Sequence, residues 1–452
     1  VPFAQPQLDQ LRRHLAESGG RLYLGAAPGG MALADAEQAV LVLGPPRSGK
    51  TTAVAIPNVL AAPGAVTVTS TKPDVMAATL ACRAGRGNCW LLDPSGTVPT
   101  PAGVTRVRWS PVASAISWDE SLVLARAMTG AARPGGAAGE SAHWIERAEA
   151  LLAPLLHAAH LNGSGMETVL RWVLRQDLGP ARAVLSAGGV ETGVDVLAGL
   201  AATDPRELSG IWSSAAGVLA AYRSDAVLDG CAAPNLDPRQ LVSTPDTVYI
   251  CAPARFQQLV APIVIAFLEQ VRAGAYAISA AGGTSGLGVS VPVTLVLDEL
   301  ANIAPLPDLP AMVSEGGGQG LLTLACLQDL SQARQRWGRA AEGFLSLFGT
   351  KLVLPGIGDL DTLELVSRLG GEIDVPARSV STNPWRWGAP RVTWSTHRQR
   401  RLPVETVSQQ PPGTALVLSG ARPPERIALP PWWAVAAFKG TPTRETGRSI
   451  TR

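Results

Sequence analysis

Lysine is nearly missing from this chain. It stands only at Lys50, Lys72, Lys351 and Lys439, the remaining basic charge being arginine, so each lysine is more informative than usual. Cysteine is scarce too: Cys82, Cys89, Cys231, Cys251 and Cys326 contain no C-x-x-C pair, and several fall in apolar strand-like runs. That excludes a disulfide framework or a zinc knuckle and suits buried thiols in a reducing cytoplasm. No apolar run approaches the ~20 residues that a bilayer span needs; one of the longest, Ala261 to Leu268, is soon broken by charge. The chain is therefore expected to be soluble as it stands. It begins with Val and lacks a signal-peptide pattern, so a piece cut from a longer protein that carries a membrane anchor is compatible with it. A net charge of +2 argues neither for nor against a polyanionic partner. With 46% hydrophobic and 16% charged residues the chain is not disordered. Its 452 residues exceed one ordinary core and predict two domains, or one large α/β domain with an insertion.

What is present begins with alternation. A short β-branched run, Ala39 to Leu43, leads into a Gly-rich loop and a helix-compatible stretch, and strand-like runs follow at Ala65 to Thr69 and Cys89 to Asp93 with a helical pattern around Val75 to Arg83. That order predicts βαβαβ with a parallel sheet over residues 1–117. From Trp118 to Asp237 the strand signals vanish, and Ala, Leu, Trp and Arg recur at three- and four-residue spacing with breaks at Gly135 to Gly139 and Gly188 to Gly189. This predicts an all-helical insertion over 118–237. The alternation returns over 238–452, with strands at Thr247 to Cys251, Val293 to Leu297, Leu321 to Leu327 and Lys351 to Leu354, and a helix through Phe267. Ser279 to Pro292 is a Gly/Ser connector without the Lys of a phosphate loop. Strand runs at Arg391 to His397 and Ala415 to Leu418 predict a hairpin on the sheet edge. The fold class is α/β with a mostly parallel central sheet and an inserted all-α domain.

Gly44-Pro45-Pro46-Arg47-Ser48-Gly49-Lys50-Thr51 fits G-x-x-x-x-G-K-[ST], with Thr52 continuing into the helix. Glycines there let backbone N–H groups cradle phosphate oxygens, Lys50 sets a cation on the β- and γ-phosphates of ATP, and the Thr51 hydroxyl suits Mg²⁺. Downstream, Thr294 to Leu297 is an apolar strand ending in Asp298 and Glu299. Asp298 is placed to hold the Mg²⁺ shell and Glu299 to polarise the attacking water. Gln328, after the strand Leu321 to Leu327, is a candidate γ-phosphate sensor or a plain helix-start residue. His157 and His160 lie one helical turn apart but lack a third ligand, so a helix-face role is preferred to metal binding, and His143 beside Glu146 is read the same way. Arg378, Arg386, Arg391, Arg398, Arg400 and Arg401, interleaved with Trp385, Trp387 and Trp394, fit a single-strand-binding surface or a charge-defended edge, and the second is preferred.

Taken in order, LGPPRSGKTTAVAIPN, STKPDVMAATLACRAGRGNCWLLDPSG, LVLDELANI, SEGGGQGLLTLACLQDLSQARQRWG and RRLPVETVSQQPPGTALVLSGARPPERIALPPWW resemble the TraG/TraD-type coupling proteins of type IV secretion and conjugation, in the RecA-like hexameric translocase group. The resemblance covers most of the chain. It implies a RecA-like P-loop ATPase that uses ATP and Mg²⁺ to drive single-stranded DNA, with its relaxase, into a secretion channel. It also implies a helical insertion facing relaxosome or secreted-protein partners, and a hexamer anchored at the cytoplasmic face of the bacterial inner membrane, the chain alone being monomeric in dilute solution. One departure stands out. Relatives carry an arginine in the turn matching Glu315 to Gly320, a candidate trans finger, whereas this chain has Gly316, Gly317, Gly318 and Gln319; Arg206, Arg334 and Arg336 are unranked substitutes. Two rival readings are an FtsK-like double-stranded DNA pump and a nucleotide-gated docking adaptor with little hydrolysis. No winged-helix tail supports the pump, while the missing arginine favours the adaptor.

Overall fold

The computed structural model describes residues 5–132, 140–282, 291–381 and 391–438. Among them the strands are β1 (Tyr23–Ala27), β2 (Gly30–Leu33), β3 (Val40–Leu43), β4 (Val66–Ser70), β5 (Cys89–Leu92), β6 (Thr105–Arg106), β7 (Thr247–Cys251), β8 (Val293–Leu297), β9 (Leu321–Leu327), β10 (Thr350–Val353), β11 (Glu372–Ser381), β12 (Arg391–Arg400), β13 (Thr414–Ser419) and β14 (Glu425–Ala428). Twelve of these form one sheet in the order β2-β1-β14-β13-β10-β3-β9-β8-β4-β7-β5-β6. Every neighbouring pair from β10 to β6 is parallel, and β13, β14, β1 and β2 extend it as an antiparallel edge.

Parallel strands are joined by crossovers that cover both sheet faces, so their residues are apolar on both sides. In β3, Val40 and Val42 enter one core cluster with Val66, Val68, Leu324 and the helices Gln5–Glu17, Ile56–Ala61 and Asp74–Arg83, while Leu41 and Leu43 enter another with Leu295, Leu297 and Leu327. The second cluster runs on into the helices between β6 and β7, through Leu124 and Met128 of Trp118–Ala132 and Leu152, Leu155 and Leu156 of Glu140–Leu161. Among the described residues, no break in apolar packing separates the helical part from the sheet. At its centre lies the helix Gln257–Ala280, which is long and apolar enough to cross a membrane but has 78% of its apolar stretch buried inside the fold. It passes the predicted end at Phe267 because Val271, Gly274 and Ala275 continue its buried face.

The predicted C-terminal hairpin is corrected. Arg391–Arg400 pairs not with residues near 415 but with Glu372–Ser381, in a separate two-stranded ribbon. β13 instead lies inside the main sheet between β10 and β14. Burial explains the exchange: Ala415, Leu416, Leu418 and Ser419 of β13 are buried, whereas β12 is polar and exposed along nearly its whole described length and has no apolar face to bury. Trp385, Arg386 and Trp387, the glycines at 135–139, Lys439 and most of the Gly/Ser connector lie outside the described residues.

Candidate functional site

The P-loop leaves β3 in register with β9, the Gly44 N–H donating to the Leu327 carbonyl at 3.2 Å. It then reverses through Arg47 (φ 66°) and Gly49 (φ 99°). The second is a left-handed position where glycine costs least. The following helix opens with a π turn over Lys50–Ala55 and becomes α-helical over Ile56–Ala61. Pro57 has no N–H to offer the Ala53 carbonyl and its ring would crowd it; a wider turn relieves both. Lys50 is buried, its Nζ donating to the carbonyl oxygens of Gly44 and, at 3.0 Å, Pro45.

The sheet order sets β9 between β3 and β8, and this brings the end of β8 across from the start of the P-loop helix. Thr51 Oγ1 donates to Asp298 Oδ2 at 2.8 Å across 247 residues of sequence. The Asp298 carbonyl accepts Thr69 Oγ1 at 2.8 Å, which ties β8 to β4. Burial pushes the Asp298 carboxyl up to about 6, the Glu299 charge adding to this while the Thr51 bond and Lys50 oppose it. Glu299 sits in the left-handed region (φ 57°, ψ 43°), and its Oε2 accepts Asn302 Nδ2 at 3.0 Å. A non-glycine residue held there stores on the order of 1–3 kcal/mol, and such strain concentrates at functional sites.

Between these elements opens a cleft of about 450 Å³, within the range of small-molecule sites. Pro46 to Thr52 line one wall, and Ser70, Thr71, Lys72, Asp74, Asp298 and Glu299 the other. Gly44 and Pro45 lie behind the first wall, where they hold Lys50. Gln328 does not line the cleft; it follows β9, and its N–H donates to Gln332 Oε1 at 3.0 Å. Sequence reasoning missed Ser70, Thr71, Lys72 and Asp74, although the rarity of lysine was a usable signal. The Thr51 hydroxyl and Asp298 carboxylate are oxygen donors of the kind Mg²⁺ takes. No group of three His, Cys, Asp or Glu among the described residues could hold a metal by itself, so a cation here would complete its shell with phosphate oxygens and water.

In the turn after Glu315, a Cβ on Gly317 would lie 1.7 Å from the Glu37 carbonyl oxygen, so no side chain fits. Of the substitutes, Arg334 is paired with Asp359 at 2.9 Å and Asp361 at 3.5 Å. Arg336 is half-buried, which lowers its pKa. Arg206 is exposed at the start of the helix Pro205–Val218. His157 and His160 donate Nδ1–H to the carbonyls of Ala115 and Val112, both at 3.0 Å, and His143 Nε2 lies 3.4 Å from Glu207. On the ribbon, Arg378 stands opposite Trp394. Arg398 lies 3.7 Å from both Glu372 and Asp374, and Arg400 bonds Glu364 at 2.8 Å.

A family model described as Type IV secretory system Conjugative DNA transfer matches residues 12–402. The unbound bacterial conjugative coupling protein TrwBdeltaN70 is 20% identical with a TM-score of 0.68, over 93% of this chain and 91% of that one. The plasmid coupling protein TrwB in complex with ADP and Mg²⁺ is 19% identical with a TM-score of 0.64, over 87% and 85%. The same protein with the ATP analogue ADPNP is 19% identical with a TM-score of 0.63, over 87% and 86%. No curated protein matches. At these identities the structures establish a shared fold, a large mostly parallel α/β sheet of RecA-like type with added helices.

Proposed function

Because the chain belongs to the Type IV secretory system Conjugative DNA transfer family, we propose that it is the ATP-hydrolysing motor of a coupling protein. Its cargo is single-stranded DNA with an attached relaxase, delivered to a type IV secretion channel. The observation that carries this reading is the Thr51 to Asp298 contact at 2.8 Å, which joins the two motifs an NTPase needs over one cleft. Nucleotide and magnesium binding is supported by TrwB, whose complexes hold ADP with Mg²⁺ and ADPNP.

In this reading Gly44 to Thr52 cradle the phosphates, and Lys50 exchanges the Gly44 and Pro45 carbonyls for phosphate oxygens. Thr51 and Asp298 hold Mg²⁺, which when bound screens phosphate charge and polarises the reacting phosphoryl group. Glu299, oriented by Asn302, positions and deprotonates the attacking water. Gln328 follows β9 outside the cleft lining, so its role as reporter of the terminal phosphate requires nucleotide binding to draw it in. Residues 1–117 and 238–452 serve as the nucleotide-binding domain, and residues 118–237 as the helical domain that meets relaxosome or secreted-protein partners. The working form is a hexamer at the cytoplasmic face of the bacterial inner membrane, and the chain alone is a monomer. ATP turnover measured at rising protein concentration, with and without single-stranded DNA, tests this. The expected result is a per-chain rate that climbs with concentration and with DNA; flat, negligible rates sink the motor.

A second reading, a nucleotide-gated docking adaptor, draws on the lack of an arginine in the turn Glu315 to Gly320, where Gly317 is crowded against Glu37 while Gly318 has open space around it. It predicts tight nucleotide binding and relaxase recruitment without turnover.

A further inference from the structure

We propose that Lys72 is a second phosphate-binding cation of the cleft, one that recognises the terminal phosphate and so separates nucleoside triphosphate from diphosphate; this rests on the nucleotide reading above. Lys72 follows β4, and β9 and β8 intervene between β4 and the P-loop strand β3. With strands ~4.8 Å apart, β3 and β4 lie roughly 14 Å from each other, while Asp298 at the end of β8 reaches Thr51 directly. A phosphate chain gripped at Gly49 to Thr51 and extended toward β4 would bring its last group nearest to Lys72. The opposite wall carries Asp74, Asp298 and Glu299 and, as its one cation among the described residues, Lys72. A terminal phosphate entering against three carboxylates meets repulsion that the Mg²⁺ proposed at Asp298 offsets only in part, and Lys72 adds a positive charge on the β4 side.

The local structure leaves the ammonium free for that task. Ser70 Oγ accepts the Lys72 N–H and donates to Asp74 Oδ1, both at 3.3 Å, and the same Asp74 oxygen accepts the Val75 N–H at 2.9 Å. Asp74 is thereby tied to the start of the helix Asp74–Arg83, and among the described residues no acceptor takes Lys72 Nζ. Pro73 restricts the backbone of the residue before it, which fixes where the Lys72 side chain departs. Lysine use points the same way: Lys351 Nζ is bound to the Leu345 carbonyl at 2.9 Å, while Lys50 and Lys72 both line this cleft. In a chain that otherwise uses arginine, a compact charge on a flexible stem suits a phosphate that arrives and leaves.

The test is calorimetric titration of the full chain, in Mg²⁺, with ADP and with the non-hydrolysable analogue ADPNP. Lys72→Ala should weaken the triphosphate analogue about tenfold, as expected for one charge-assisted contact, and ADP less than about twofold, with Lys72→Arg restoring most of the loss. Lys50→Ala should weaken both nucleotides. Equal losses for ADP and ADPNP in Lys72→Ala, or no loss for either at an unchanged melting temperature, overturn the proposal; if that variant does not fold, Lys72→Gln gives the same comparison. A wild-type chain that binds neither nucleotide overturns the nucleotide reading itself, and this inference with it. Wild-type binding without Lys72-dependent discrimination removes only the inference.

Discussion

The cleft and the β11–β12 ribbon both set cations beside carboxylates, but they stand on different ground. The cleft caps β3, β8 and β4, whose residues are all buried, and its contacts join residues far apart in sequence at about hydrogen-bond length. The ribbon has exposed faces: Arg398 meets Glu372 and Asp374 only at 3.7 Å, and Trp394 is 67% exposed. Solvated pairs of that kind are worth about 0–1 kcal/mol. Charges at the mouth of a buried sheet are partly stripped of water and act on whatever enters. The same residue types thus line a partly desolvated cleft in one place and a solvated surface in the other.

The largest effect is expected from Glu299→Gln in the cleft. It should lower ATP turnover on the order of a thousandfold, within the range of a lost general base, while ADPNP affinity stays within about threefold of wild type. Single-turnover assays beside binding titrations would show it. Next in size is Lys50→Ala, expected to weaken nucleotide binding about a hundredfold, with circular dichroism confirming an intact fold.

The cleft should also answer to pH. Asp298 titrates near 6 and must be ionised to hold Mg²⁺, so Mg²⁺-dependent affinity should be retained at pH 7.5 and fall as pH drops through about 6, by roughly tenfold per unit below it. The direction follows from the raised value: protonation sets in at a higher pH than for an ordinary aspartate. Asp298→Asn should remove that limb. The smallest effect belongs to the ribbon, where Trp394→Ala should change stability by no more than about 0.5 kcal/mol in urea unfolding. A loss well beyond that would mean the ribbon is structural after all.

The strands β7, β8 and β9 were legible to the residue because burial on both faces gives a continuous apolar run bounded by turn residues. At the antiparallel edge β13 was read as Ala415 to Leu418, within its observed range, but β1, β2 and β14 were not read. In β14 only Ile427 is buried among exposed neighbours, and β1 carries a glycine at 25, so neither shows a period. β11 contains Pro376 and several charges and resembles a loop; its pairing with β12 satisfies the backbone of both. At the site, Thr51 and Asp298 were readable together because a P-loop and a later acidic strand end imply a shared cation. Lys72 was not, although the rarity of lysine marked it, since it takes the fold, with β4 beside β8, to bring it to the same cleft. The π turn at Lys50–Ala55 also escaped, because Pro57 by itself predicts a helix start or break rather than a widened turn.

The most direct test of the account is the crystal structure of this chain with Mg²⁺ and ADPNP. The triphosphate should lie over Gly49 to Thr52, with the Thr51 hydroxyl turned from Asp298 onto the metal and Asp298 in or beside its shell. Nucleotide density elsewhere, or a Thr51 to Asp298 hydrogen bond left intact with no metal between the P-loop and β8, would contradict it.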